Sequence, residues 1–327
     1  MSRVLVVVEH DRGTIAPAAL EAMTFARTLG DHVVALTFGA AADGLASTLG
    51  DYGAAEVHQA HHDLLIDYNP EAWADVVAGA VQFVSPELVV ATGTDVGNEV
   101  MANAAAVLDL PMVANCVSVM SDTRSDQPFV VRRVRWGGSL LETAAVDAGV
   151  MLLTVAHHAV EAQPAAAAGA ATARPFAAAL DASVARSAVV ERVEREAGVT
   201  LATAPVVVGG GRGVGSADGF RPLEELAGLL GGVVGCSRAV TNNGWRNHTD
   251  QVGQTGTRIA PELYVACGIS GAIQHWVGAM ASKRILAINT DARANMVAKA
   301  DYAVIGDLHE VVPAITAEIR RRMGKPD

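Results

Sequence analysis

Cysteine is scarce: Cys116, Cys236 and Cys267 are the only three in 327 residues. An odd number with no C-x-x-C spacing supports neither a disulfide framework nor a Cys-rich zinc or iron–sulfur site. Basic charge is also short, with 24 Lys and Arg against 35 Asp and Glu and a formal net charge of −11. That balance argues against a nucleic-acid binder working by bulk charge, because few cations are left to neutralise phosphates. Hydrophobic residues make up 51% of the chain, yet the apolar runs are short and broken by Gly or polar residues. None approaches the ~18 consecutive apolar residues that would signal a membrane-spanning helix. The sequence enters an apolar run at Val4 with no charged leader before it, so a cytoplasmic protein is expected. The adjacent pairs His61, His62 and His157, His158 stand in no H-E-x-x-H or comparable ligand pattern. They read as surface or strand-end histidines, and no metal site is expected.

What is present is alternation. Short β-rich runs at 3–8, 32–37, 87–91 and 111–119 are separated by helical patterns at 17–29, 70–84 and 97–108. This is the pattern of βαβ units and a mainly parallel sheet. Pro17 suits the first turn of its helix and Gly30 its end. The runs 129–135, 139–146 and 150–155 follow without intervening helices, which predicts antiparallel strands at the end of that sheet. Residues 161–179 turn Ala-rich, with Pro164, Gly169 and Pro175, and read as a linker with little structure of its own. A second alternation begins near 204, with strands at 204–208, 233–236, 263–267, 284–288 and 302–305. The predicted fold class is therefore α/β in two domains. An N-terminal α/β domain spans 1–160, a linker and connecting strand 161–203, and a smaller doubly wound domain 204–327.

Chemistry concentrates at strand ends of the second domain. The strand at 206–208 empties into Gly209, Gly210, Gly211, Arg212, Gly213, Val214 and Gly215, where free N–H groups can meet phosphate. No Lys follows as in a Walker A loop, and the G-x-G-x-x-G pattern lacks its last Gly and its ribose-binding acid. A Gly-rich turn alone is more often only a tight turn, but a guanidinium among the glycines can fork onto a phosphate. Three further polar turns follow: Ser237 with Arg238, the run 251–256, and the run 268–275 leading into a helix that contains His275. Convergence of such turns from one sheet is hard to explain by packing.

These residues stand in the order and spacing of a known family. GGRG at 210–213, the pair Ser237 and Arg238, QVGQTG at 251–256, APELY at 260–264, GISGAIQH at 268–275, Asn289 in a turn, and ADY followed by GDL at 306–308 resemble the FAD-binding domain of the electron transfer flavoprotein alpha subunit. Residues 1–160 are similar to the family's amino-terminal domain more loosely, through the turn at 92–97 and RWGGSLLET at 135–143.

The resemblance implies one non-covalent FAD in the second domain and a one-electron carrier, not an enzyme. It assigns Arg212, Ser237, Asn289, Asp307 and Leu308 to the adenosine and pyrophosphate end. Val252, Gly253, Gln254 and Thr255, with Ser270, Gly271, Ala272, Ile273, Gln274 and His275, would run along the pyrophosphate, ribityl chain and flavin. Within that set Thr255 would bond near flavin N5, His275 would donate toward O2 and N1, and Arg238 would lie against the ring. The implied partners are a beta subunit holding AMP or a second FAD, acyl-CoA or related dehydrogenases of fatty acid oxidation, and a quinone oxidoreductase. Departures from the family pattern are Asn242 in place of a usual Asp, Ala292 and Asn295 in place of usual Pro, and Ala102 with Asn103 in place of Pro-Arg. A flavin-bifurcating member of the family is the nearest alternative. An NAD-dependent dehydrogenase, and a nucleotide-binding module using Gly93 and Gly97 in the first domain, are more distant ones.

Overall fold

A computed structural model describes residues 2–120, 128–166, 169–191 and 199–324. The chain divides into two compact units, one of Met1–Trp136 with Leu140–Glu194 and the other of Arg195–Asp327 with Gly137–Ser139.

The first unit runs β1 (Arg3–Val7), a short hairpin of β2 (His10–Asp11) and β3 (Thr14–Ile15), α1 (Pro17–Ala26), β4 (His32–Phe38), α2 (Ala46–Asp51), β5 (Glu56–His61), α3 (Pro70–Val84), β6 (Leu88–Thr92) and α4 (Asp95–Leu108). It continues through β7 (Met112–Val119), β8 (Phe129–Arg135), β9 (Leu140–Val146), β10 (Met151–Val155) and β11 (Thr172–Ala177). The helices begin where local chemistry satisfies their free N–H groups. Asn69 Oδ1 accepts from Ala72 N–H at 2.9 Å ahead of α3, and Thr94 Oγ1 accepts from Gly97 N–H at 2.9 Å ahead of α4. The sheet order is β11-β5-β4-β1-β6-β10-β7-β8-β9. It is parallel from β11 to β7 and antiparallel at β7–β8 and β8–β9, as the runs at 129–135 and 139–146 predict. The run at 150–155 is a correction, since it forms β10 inside the sheet, parallel to both β6 and β7, where its fully buried residues belong. Alternate residues of each central strand fill opposite cores: Val4, Val6, Leu88 and Val90 pack on one face, and Leu5, Val7, Val89 and Ala91 on the other.

The expected linker is corrected by the structure in part. Thr172–Ala177 forms β11, which pairs in parallel with β5 along the edge of the first sheet. Pro175 is tolerated there because an edge strand has one free side. Residues 167–168 and 192–198 of that span lie outside the described residues. Strand β5 also escaped the sequence reading, since only Val57, His58 and Ala60 of it are buried and the run lacks apolar alternation.

The second unit runs β12 (Val206–Gly210), α5 (Arg221–Leu229), β13 (Val233–Cys236), α6 (Arg238–Asn242), β14 (Leu263–Cys267), α7 (Ile273–Ala279), β15 (Ile285–Asn289), α8 (Asn295–Lys299), β16 (Tyr302–Ile305) and α9 (Leu308–Met323). All five strands are parallel, in the order β13-β12-β14-β15-β16. Leu223 and Leu226 of α5 with Leu308 and Val312 of α9 cover one face. Ala279 of α7 and Met296 of α8 cover the other. The chain steps one way from β12 to β13 and the other way to β14, so the order reverses between β12 and β14. In doubly wound sheets ligands bind outside the carboxyl ends of strands at such a reversal.

Candidate functional site

A cleft of about 600 Å³ opens at that reversal, within the ~300–1,000 Å³ range of small-molecule sites. All five strand ends of the second unit line it. Arg212 and Gly213 follow β12, Ser237 to Ala239 follow β13, and Gly268 to Ala272 with Gln274 and His275 follow β14. Asn289 to Asp291 and Ala294 come from the end of β15, and Gly306 to Leu308 from the end of β16.

The floor of the cleft is built by close backbone approach. Gly211 N–H donates to Cys267 C=O at 2.8 Å and Gly213 N–H to Gly268 C=O at 3.2 Å. A Cβ on Gly211 would stand 2.2 Å from the Gly268 oxygen, so no larger residue fits this cradle. Asn289 ties two of the turns together: its Nδ2 donates to Ile269 C=O at 3.0 Å and its Oδ1 accepts from Asp291 N–H at 3.0 Å. Asp307 caps α9, its Oδ1 accepting from His309 N–H at 2.9 Å, which brings the positive end of a 16-residue helix to the cleft.

Arg212 and Arg238 are exposed, and among the described residues neither guanidinium has a carboxylate partner. His275 is different. Its ring is buried, Nε2 meets Tyr264 Oη at 2.8 Å, and burial pushes its pKa down to about 4 against a smaller opposing effect of the Val252 backbone. At neutral pH it is uncharged. Cys236 and Cys267 lie beneath the same strand ends, and burial pushes both thiols up to about 12, which leaves them unreactive. Two free cations, a glycine cradle and a capped helix start suit an elongated anionic dinucleotide.

Of the residues expected from sequence, Arg212, Ser237, Arg238, Ser270, Gly271, Ala272, Gln274, His275, Asn289, Asp307 and Leu308 line this cleft. Val252, Gly253, Gln254, Thr255 and Ile273 are outside its lining. Val252 is in the core, and Ile273 is exposed at the start of α7. Gln254 N–H donates to Gln274 C=O at 2.7 Å, which holds the 251–256 turn beside the cleft wall.

Two profiles of the electron transfer flavoprotein family match, its "Electron transfer flavoprotein domain" over residues 4–181 and its "Electron transfer flavoprotein FAD-binding domain" over 200–280. Electron transfer flavoprotein subunit alpha of Mycobacterium tuberculosis (strain CDC 1551 / Oshkosh) is 38% identical over 329 residues, covering 99% of this chain and 100% of the relative. This chain belongs to the electron transfer flavoprotein alpha subunit family. The Bacillus subtilis (strain 168) alpha subunit is 33% identical over 324 residues, with 98% of each chain covered. Protein FixB of Bradyrhizobium diazoefficiens is 33% identical over 347 residues, covering 98% of this chain and 89% of its own.

An electron transfer flavoprotein alpha chain uses its FAD-binding domain for flavin and electron transport, and the cleft lies largely within the span that matches that domain. At the alternative nucleotide site in the first unit a carboxylate, not a cation, stands at the strand end. The Glu9 carboxylate accepts from the Thr92 and Thr94 hydroxyls there, and Cβ atoms on Gly93 or Gly97 would strike backbone oxygens at 2.3 and 2.1 Å. Sequence reasoning did not assign Thr290, Asp291 and Ala294 to the cleft, although Asn289 and the departures at Ala292 and Asn295 marked the same loop. It also missed Tyr264 and Gln251 as supports, because each acts through side-chain hydrogen bonds to a neighbouring element or turn, which residue type and spacing alone do not reveal.

Among the described residues no helix is long and apolar enough to cross a membrane.

Proposed function

We propose that this chain is the FAD-holding subunit of a heterodimeric electron carrier. It binds one FAD non-covalently in the second unit and pairs with a beta subunit that carries AMP. Electrons come singly from acyl-CoA or related flavin dehydrogenases and leave to a quinone oxidoreductase, with the carrier itself in the cytoplasm. The observation that carries this reading is the cleft at the β12/β14 reversal, with Arg212 and Arg238 on its walls and neither paired with a carboxylate among the described residues. FAD supplies the redox chemistry when bound; the chain binds, orients and sets the local charge.

Arg212 and the turn residues Ser237, Asn289, Asp307 and Leu308 hold the adenosine and pyrophosphate end. The turns at 252–255 and 270–275 follow the rest of the cofactor. Because His275 is neutral, Arg238 is the cation that offsets negative charge gathering on the flavin ring. The test is an absorbance spectrum of the chain co-expressed with its neighbouring beta-type subunit, followed by stepwise dithionite reduction under argon. One flavin per heterodimer, taking electrons in two resolved steps, is the expected result. Two flavins would assign the pair to the bifurcating branch. A flavin-free protein with nicotinamide-dependent turnover would overturn the proposal.

A further inference from the structure

Gln251 is 3% exposed, and both ends of its side-chain amide are engaged. Nε2 donates to Thr255 Oγ1 at 2.9 Å, and Oε1 accepts from Thr241 Oγ1 at 2.8 Å. Thr241 Oγ1 also lies 3.0 Å from the carbonyl oxygen of Arg238. A continuous polar chain thus runs from Thr255, exposed on the turn beside the cleft wall, to the backbone of Arg238 in the cleft itself. An apolar side chain would fill the Gln251 site without the desolvation cost of a buried amide. The amide therefore needs a reason other than packing.

Proton counting gives one. Each threonine hydroxyl has a single proton, whereas a primary amide can donate at one end and accept at the other. With Nε2 toward Thr255, the Thr241 proton goes to Gln251, an amide proton goes to Thr255, and the Thr255 proton turns outward. A half-turn of the amide keeps the heavy-atom positions and reverses the chain. Thr255 then donates to Oε1, Nε2 donates to Thr241, Thr241 donates to the Arg238 carbonyl, and Thr255 offers only lone pairs outward.

We propose that Gln251 is a positioning residue that sets the hydrogen-bond sense of the Thr255 hydroxyl toward the bound cofactor, donor in one setting and acceptor in the other. The proposal rests on the FAD reading above. A flavin ring nitrogen that accepts a hydrogen bond in the oxidised cofactor can carry a proton after reduction. The two settings meet those two demands with no movement of the backbone.

The test is a double-mutant cycle on the full heterodimer, stripped of cofactor and titrated with oxidised FAD by flavin fluorescence. Gln251→Glu places an accept-only carboxylate between the two hydroxyls, so Thr255 keeps its proton inward. Oxidised FAD should then bind about three- to tenfold more weakly, beyond the effect of the same substitution in a Thr255→Val background. Added charge and altered packing act in both backgrounds and cancel. Gln251→Met, which keeps the bulk and removes the orientation, should show a smaller coupling of about two- to threefold, and it decides the matter if the Glu variant does not fold. Equal effects in the two backgrounds, in whichever variant folds, would overturn the role of Gln251 while leaving FAD binding intact. A wild-type heterodimer that binds no FAD would overturn the functional reading and this proposal with it, and it would be seen before any variant is made.

Discussion

The Tyr264 hydroxyl and His275 Nε2 meet at 2.8 Å beneath the cleft. Burial pushes the tyrosine pKa well above 10 and the histidine pKa down to about 4. Tyr264 therefore keeps its proton and the ring is neutral; with the imidazole proton on Nδ1, the tautomer that the Val252 backbone favours, the tyrosine hydroxyl donates to Nε2. Tyr264→Phe removes the donor and leaves Nε2 buried without a partner. The second unit should lose about 1–3 kcal/mol, read as a lower urea midpoint with an unchanged slope. An unchanged midpoint would mean that the pair contributes nothing.

The same ring gives the chain an acid-side weakness. His275 titrates near 4 when folded and near 6.5 when unfolded, so between those values the unfolded chain holds more protons. Stability then rises with pH across that window. The stabilising effect is complete above about pH 6.5 and is lost as pH falls toward 4, by up to about 3 kcal/mol. His10 and His58 in the first unit are also lowered, chiefly by burial, and add a slope of their own. The measurement is thus a comparison: thermal unfolding of wild type and His275→Gln from pH 7.5 to 4.5 should converge toward acid. Parallel curves would remove His275 from the account.

Gly211 and Gly228 are predicted to respond to alanine with opposite signs. At Gly211 the new methyl would stand 2.2 Å from a backbone oxygen, and neither β12 nor β14 can retreat without breaking its ladder. Gly228 lies within α5 with nothing inside 4 Å of the added carbon. Gly211→Ala should destabilise by more than about 2 kcal/mol and abolish FAD retention. Gly228→Ala should stabilise by about 0.5–1 kcal/mol. Denaturant melts of the two variants check both signs.

The parts of the fold that were legible in the sequence are those where local chemistry and tertiary demand coincide. The runs that became β1, β6, β12 and β14 are apolar because a parallel sheet buries both faces, and the glycine turns follow them because backbones must approach there. Strand β11 was not legible. Its Ala-rich, Pro-containing sequence is acceptable only at an edge, and pairing with β5 across more than a hundred residues leaves no local trace. The same limit holds at the site. Arg212 and Ser237 could be named because each sits in a strand-end turn, and Asn289 through the resemblance to the flavoprotein family. The neutrality of His275 could not, since it depends on how deeply α7 is packed, and the chain from Thr255 through Gln251 to Thr241 exists only once the 251–256 turn has folded against α6.

Arg238 should set the flavin potential. A unit charge pair at about 4 Å and an effective dielectric of about 20 is worth roughly 4 kcal/mol, and about 1.4 kcal/mol corresponds to ~59 mV for a one-electron couple. The upper bound for one such cation is then roughly 170 mV. Arg238 is exposed, so screening reduces this to tens of millivolts. Arg238→Gln removes charge that favours the reduced, more negative cofactor, so the potential should fall. A redox titration with a mediator dye reads the shift, and an unchanged or higher potential would place Arg238 away from the ring.

Asn242 makes the converse test without touching that guanidinium. It is the last residue of α6, four positions after Arg238 and exposed, so the two side chains lie on one helix face. An aspartate there would partly neutralise Arg238, and pairs of this spacing contribute about 0.2–0.5 kcal/mol, equivalent to ~10–20 mV. Asn242→Asp should therefore lower the flavin potential by that small amount. In an Arg238→Gln background most of the shift should vanish, because the added charge would have lost the partner through which it acts. Raising the salt concentration should shrink the shift in the parent background, as expected for exposed charges. A shift of the same size with and without Arg238 would show that residue 242 acts on the flavin directly, and the asparagine would then keep the potential high on its own.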